Sequence, residues 1–140
     1  MRTVIALLIA VLVAGCAHSG GAKGSAAAQA QAAEDEAGLA AELSGKIAGP
    51  AQDCISEPGL GSNKFYGKGV LVFHTHTGGV VYVNRLRGEC AGVVFGRAVK
   101  IKNPTPRLCR GDIVTVVEPG SGTEVGSCVL GEFTPYRPAR

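Results

Sequence analysis

The sequence predicts an all-β domain, a small barrel or rolled antiparallel sheet of five to six strands with two disulfides, behind a flexible or partly helical N-terminal spacer. Three observations carry this. Short runs rich in valine, isoleucine and aromatic residues recur from residue 52 onward, separated by clusters of Gly, Pro, Asn and Ser. Four cysteines, Cys54, Cys90, Cys109 and Cys128, fall inside that stretch. Residues 17–50, by contrast, hold alanine, glycine, glutamine and glutamate and no Phe, Tyr or Trp, too little apolar surface for a core of their own. The organisation read from this is a leader at 1–15, an anchor and spacer at 16–50, and one domain at 51–140.

The leader comes first. Arg2 gives it a positive start, and residues 4–13 are an apolar run of about ten, half of what a membrane-spanning helix needs. Its end, Val13-Ala14-Gly15-Cys16, resembles the lipobox of bacterial lipoproteins. That resemblance implies that Cys16 is acylated and becomes the mature N-terminus, where two or three acyl chains together give stable anchoring. Ala17 stands where an aspartate would favour retention in the inner membrane. The expected address is therefore the outer membrane, with the domain facing the periplasm.

Along the spacer, residues 17–25 read as flexible and residues 25–46 as helix-prone. Leu39, Leu43 and Ile47 recur at i, i+4 and i+8 on one helical face, which leaves open a lone helix or one docked on the domain. Gly49-Pro50 punctuates its end.

Within the domain, "VLVFHTHTGGVVYVNRL" reads as a β-hairpin turning at Gly78-Gly79. A two-residue loop would place Thr77 opposite Val80, Thr75 opposite Tyr82 and Phe73 opposite Asn84. Leu71, Phe73, Tyr82 and Leu86 then share one face, and Val70, Val72, Val81 and Val83 the other. A sheet apolar on both faces calls for a second cover, a strand or the spacer helix. Further strands are expected at 93–102, 112–118, 124–130 and 133–136, with Asn103-Pro104-Thr105-Pro106 and Pro119-Gly120-Ser121-Gly122 as turns.

Removing Cys16 leaves an even set of cysteines in an exported chain, hence two disulfides. Three pairings are possible. The one favoured here joins Cys90 to Cys109, clamping neighbouring strands, and Cys54 to Cys128, tying the ends together. Zinc is disfavoured because no C-x-x-C pair exists.

The residues that could carry chemistry are few. His74 and His76, two apart on a strand, could face one metal ion, although a third ligand is not evident. No serine is linked by motif to a histidine base, the thiols are oxidised, and the carboxylates are scattered, so no enzyme and no cofactor are expected. Charge is the stronger lead. Between residues 85 and 110, Arg85, Arg87, Arg97, Lys100, Lys102, Arg107 and Arg110 stand against Glu89 alone. Such a region near a membrane attracts anionic lipid head groups, lipopolysaccharide phosphates or an acidic envelope protein. Nucleic acid is not an expected partner, because no aromatic platform interleaves the charges. Arg110-Gly111-Asp112 spells an adhesion tripeptide but reads as a turn entering a strand.

Taken together, "DCIS" (53–56), "YVNRLRGEC" (82–90), "RLCRGDIVTVVE" (107–118) and "CVLGEF" (128–133) resemble a family of small proteobacterial lipoproteins of uncharacterised function. The resemblance spans residues 53–133 and implies an exported, disulfide-bonded domain without a transferable catalytic role. His74 and His76 lie outside its pattern, whereas Asn84, Arg85, Gly88, Gly111 and Asp112 lie inside. The expected function is a non-catalytic lipoprotein binding an anionic envelope component or a partner protein. The alternatives are a small-ligand or metal carrier, or a hydrolase inhibitor.

Overall fold

A computed structural model describes residues 20–94 and 97–140; Cys16, the leader and the anchor segment before residue 20 lie outside them. One helix, α1 (Gly20–Glu42), precedes ten strands: β1 (Lys46–Ala48), β2 (Cys54–Ser56), β3 (Leu60–Tyr66), β4 (Val70–Thr75), β5 (Val81–Arg85), β6 (Ala98–Lys100), β7 (Arg107–Cys109), β8 (Ile113–Val117), β9 (Glu124–Val129) and β10 (Phe133–Pro138). They form three antiparallel sheets, of order β1-β10-β5-β4-β3, β2-β7 and β6-β8-β9. The fold is mostly β, as expected, but the five to six strands foreseen are ten, and among the described residues no sheet closes into a barrel. No helix among these residues is long and apolar enough to cross a membrane.

The five-stranded sheet is buried on both faces, and its residue pattern dictates this. Leu71 and Phe73 on one face join Ile55, Leu108, Val114, Val116, Leu130 and Phe133, so that this face packs on the two smaller sheets. Each fully buried Leu or Phe there contributes about 1.5–3 kcal/mol. Val72, Val81 and Val83 on the other face meet Leu39 of α1 and Leu43 just past its end. The second cover is thus the spacer helix. Only its C-terminal part docks: residues 26–34 are exposed, while Asp35, Gly38, Leu39 and Glu42 form a half-buried stripe at helical spacing. At Gly38 an added Cβ would come within 2.9 Å of the Tyr66 ring, so the helix can lie this close only without a side chain there. The Lys46 ammonium donates to the Glu42 carbonyl (3.0 Å) and closes the helix end. Ile47, the third residue of the apolar spacing, lies instead on β1 and is exposed. That strand, within the stretch assigned to the spacer, adds an edge to the sheet against β10.

The β4–β5 hairpin turns in a wider loop than expected. His74 pairs with Val81 and Phe73 with Tyr82, and the Thr75 amide donates to the Val80 carbonyl at 3.2 Å. The cause is Thr75, whose hydroxyl contacts the carbonyls of Thr77 (2.7 Å) and Val80 (2.9 Å) and closes a four-residue loop. A slip of two residues leaves every side chain on its predicted face.

The cysteine pairing corrects the one favoured from sequence: Cys54 bonds Cys109 and Cys90 bonds Cys128. Cys54 and Cys109 are direct cross-strand partners of β2 and β7, three-residue strands that have only each other. Cys90 leads into a turn pressed on β9, where a Cβ at Gly126 would collide with the Ala91 carbonyl and one at Gly92 with that of Val125. Only a glycine on each side lets the two backbones approach closely enough to place Cys90 beside Cys128.

Candidate functional site

The docked helix makes one wall of a cavity of about 600 Å³. Gln31 and Asp35 of α1, Ser62 to Phe65 of β3, Gly67 and Lys68 of the turn after it, His74 of β4, and Val93, Val94, Arg97 and Ala98 line it. The space exists because β3 and β6 are not joined by a backbone ladder. Instead the Asn63 side chain spans them, donating to the Val99 carbonyl (3.1 Å) and accepting from the Val99 amide (2.8 Å). An amide group so placed imitates one ladder rung and holds the strands a side chain apart.

The helix is clasped over this cavity by a polar cluster. His74 Nε2 donates to Glu42 Oε1 (2.9 Å), and the Tyr66 hydroxyl donates to Glu42 Oε2 (3.0 Å). His74 Nδ1 lies 3.3 Å from both the hydroxyl and the carbonyl oxygen of Ser62, so the neutral ring can accept from the former and the charged ring donate to the latter. Burial alone would raise the Glu42 carboxyl, but the bonds from His74 and Tyr66 and the charges of His74 and Lys46 outweigh it and hold it below the ordinary range. Burial, and then the bond to Glu42, pushes the Tyr66 phenol up, so it remains a donor.

A pH dependence follows. Because the Glu42 pKa is lowered on folding, its contribution is complete above the unfolded value near 4.5 and is lost as pH falls through the folded one. Glu42→Gln is expected to lose about 1 kcal/mol at pH 7, as for a partly exposed ion pair. In thermal melts the gap in Tm between Glu42→Gln and the parent should narrow as pH falls below 4.5. A gap unchanged down to pH 3 would refute the assignment.

The candidate residues read from sequence fall in several parts of the fold. His74 belongs to the helix clasp, and His76 lies beyond β4 in the hairpin loop; among the described residues no group of three or more His, Cys, Asp or Glu could hold a metal ion. The seven basic residues are spread over three sheets and the loops between them. Three are paired: Arg97 with Glu118 (3.0 Å), Lys102 with Glu124, and Arg110 with Asp53 (3.2 Å) and Glu132 (3.1 Å). The hydrogen bond from Lys102, then its charge and that of Lys100, lowers the Glu124 pKa. Arg85, Arg87, Lys100 and Arg107 are in no ion pair among the described residues. The Asp112 carboxylate accepts from the Cys109 amide (2.7 Å) and from Asn103 (3.0 Å), so the Arg-Gly-Asp tripeptide is a turn with its acid turned inward.

Only Arg97 of the basic set reaches the cavity. The two other cations on its wall, Lys64 and Lys68, precede the basic stretch and were not singled out from sequence. Their signal is faint: two lysines four apart around Tyr66-Gly67, in a segment whose strand character was itself concealed. Lys64 lies over the Tyr66 ring, 4.8 Å from its centre, and neither lysine is in an ion pair among the described residues. Set against known proteins, the chain matches no family model, no curated protein and no solved structure.

Proposed function

We propose that this chain is an envelope-anchored, non-catalytic binding lipoprotein whose recognition site is the cavity between α1, β3 and the segment before β6. The observation that carries the reading is the cavity itself: about 600 Å³, within the range of small-molecule sites, and lined by Phe65, Val93 and Val94 together with Lys64 and Lys68. The paired cysteines are in keeping with an oxidising compartment. The lipobox-like end of the leader and the resemblance to small lipoproteins supply the anchor and the outer-membrane address. An anionic envelope component remains the expected ligand, with Lys64 and Lys68 taking the role first given to the long basic stretch.

The test is site-specific photocrosslinking of the full chain in the envelope. Val94, more than half exposed at the cavity mouth, and Arg107, exposed on β7, would each be replaced by a benzophenone amino acid. Capture of a small molecule from position 94 and not from 107 is expected. Capture from 107 alone would move recognition to the basic stretch and overturn the proposal.

A further inference from the structure

Resting on the reading that this cavity binds a ligand, we infer that its ligand is a single-chain anionic amphiphile, a long-chain fatty carboxylate. Two features of the wall select this class. The first is the division of the lining. Phe65, Val93 and Val94 give the lining its apolar part and Lys64 and Lys68 its free charge, the combination that a molecule with one greasy end and one charged end requires. A volume of about 600 Å³ suits one extended acyl chain rather than the two of a phospholipid.

The second feature is the charge balance. Arg97 is already satisfied, donating to the Gly92 carbonyl and paired with Glu118. Its guanidinium fork is therefore not free to grip a head group. His74, also on the lining, is bonded to Glu42. That leaves Lys64 and Lys68 against Asp35, the acid on the helix wall, an excess of one positive charge. One positive charge complements a monoanion such as a carboxylate better than a phosphomonoester, which carries nearly two negative charges. Lysine ammoniums on flexible stems also suit a head group held at a pocket rim, where their methylenes cover the start of the chain. The wall facing that apolar part is the helix, and its hold is the Glu42–His74–Tyr66 cluster, so the chain would lie beneath α1 with its head toward the β3–β4 turn.

The experiment uses isolated envelope membranes carrying the full chain and three probes, each with a diazirine in the tail and a terminal alkyne. They are a sixteen-carbon fatty acid, the matching primary alcohol, and the matching lysophosphatidate. The fatty acid is expected to label peptides containing Phe65 or Val93 above the other two probes. In Lys64→Gln/Lys68→Gln that labelling should fall about fivefold, the loss expected from removing partly screened ion pairs, with the melting temperature unchanged. Equal labelling by the alcohol, or undiminished labelling of the double variant, would overturn the inference, and preferential labelling by the lysophosphatidate would overturn the monoanion assignment. Should no probe label the cavity while the photoreactive residue at position 94 still captures a small molecule, the ligand class fails and the binding cavity stands. Silence in both experiments removes the two together.

Discussion

Replacing either cysteine pair by alanine is expected to destabilise the domain by about 4 kcal/mol, and reducing both bonds to unfold it. Cys54–Cys109 closes 55 residues of chain and Cys90–Cys128 closes 38. In the chain-entropy description each loop of that length contributes about 4 kcal/mol by restricting the unfolded state. A single domain of this size has about 5–15 kcal/mol in all, so losing both consumes most of it. The two bonds should also differ in access. Cys90 and Cys128 are buried, whereas Cys54 and Cys109 are half-buried on the two-stranded sheet. Limited reductant followed by alkylation and peptide mapping should therefore modify Cys54 and Cys109 first. Denaturant midpoints of Cys54→Ala/Cys109→Ala and Cys90→Ala/Cys128→Ala measure the energetic part. Midpoints equal to that of the parent would show that the strands hold without their covalent ties.

That expectation rests on a pairing the sequence did not yield, and the reason generalises. The strands β4, β5, β8 and β9 were legible because each carries β-branched residues bounded by turn glycines. β3, with the sequence LGSNKFY, has almost none of that propensity; it is a strand because β4 offers it a ladder, and ladders belong to tertiary structure. β1, β2 and β7 are three residues each, too short for any periodicity. Without β2 and β7, the cross-strand relation of Cys54 to Cys109 is invisible, and the favoured pairing rests instead on neighbouring strands for Cys90 and Cys109 and on the domain's two ends for Cys54 and Cys128. The faces of the central hairpin were read correctly because a period of two survives a two-residue slip.

The cavity was hidden for a related reason. It is bounded by a helix, a strand of weak propensity, and Val93, Val94, Arg97 and Ala98, brought together from residues 31 to 98. The basic stretch, the most visible charge feature in one dimension, is partly neutralised in three by Asp53, Glu118, Glu124 and Glu132. A count along the chain includes those acids only if they are near in sequence. Of the cations facing the cavity only Arg97 belongs to that stretch, which is why the proposed reading turns on Lys64 and Lys68.

Asn84→Ala and Asn84→Leu are each expected to destabilise the domain by about 4 kcal/mol, although neither touches the cavity. Asn84 is the buried polar residue of the core, fully enclosed between Leu71 on β4 and Phe133 on β10. Its side-chain nitrogen donates to the Gly131 carbonyl and its oxygen accepts from the Gly131 amide, both at 2.8 Å. The amide therefore completes the backbone of a segment that no strand pairs, much as Asn63 bonds the open edge of β6 at Val99. Removing it strands one donor and one acceptor away from water, at about 1–3 kcal/mol each. Leucine restores volume without restoring either bond, so it should recover little over alanine. If packing alone were at stake, leucine would match the parent, and that result would sink the argument. Asn84→Asp separates the two bonds. Its carboxylate can accept from the Gly131 amide, but its second oxygen would face the Gly131 carbonyl, and only the protonated acid can donate there. Burial and that carbonyl would raise the pKa of the new carboxyl on folding, so the variant should gain stability as pH falls toward 4 and lose it as pH rises through the folded value. That sign is opposite to the one expected for Glu42. Urea melts of the parent and the three variants at pH 7 and pH 4.5 would show both effects in one series. An aspartate variant that weakens further on acidification would mean that Gly131 finds its partners elsewhere.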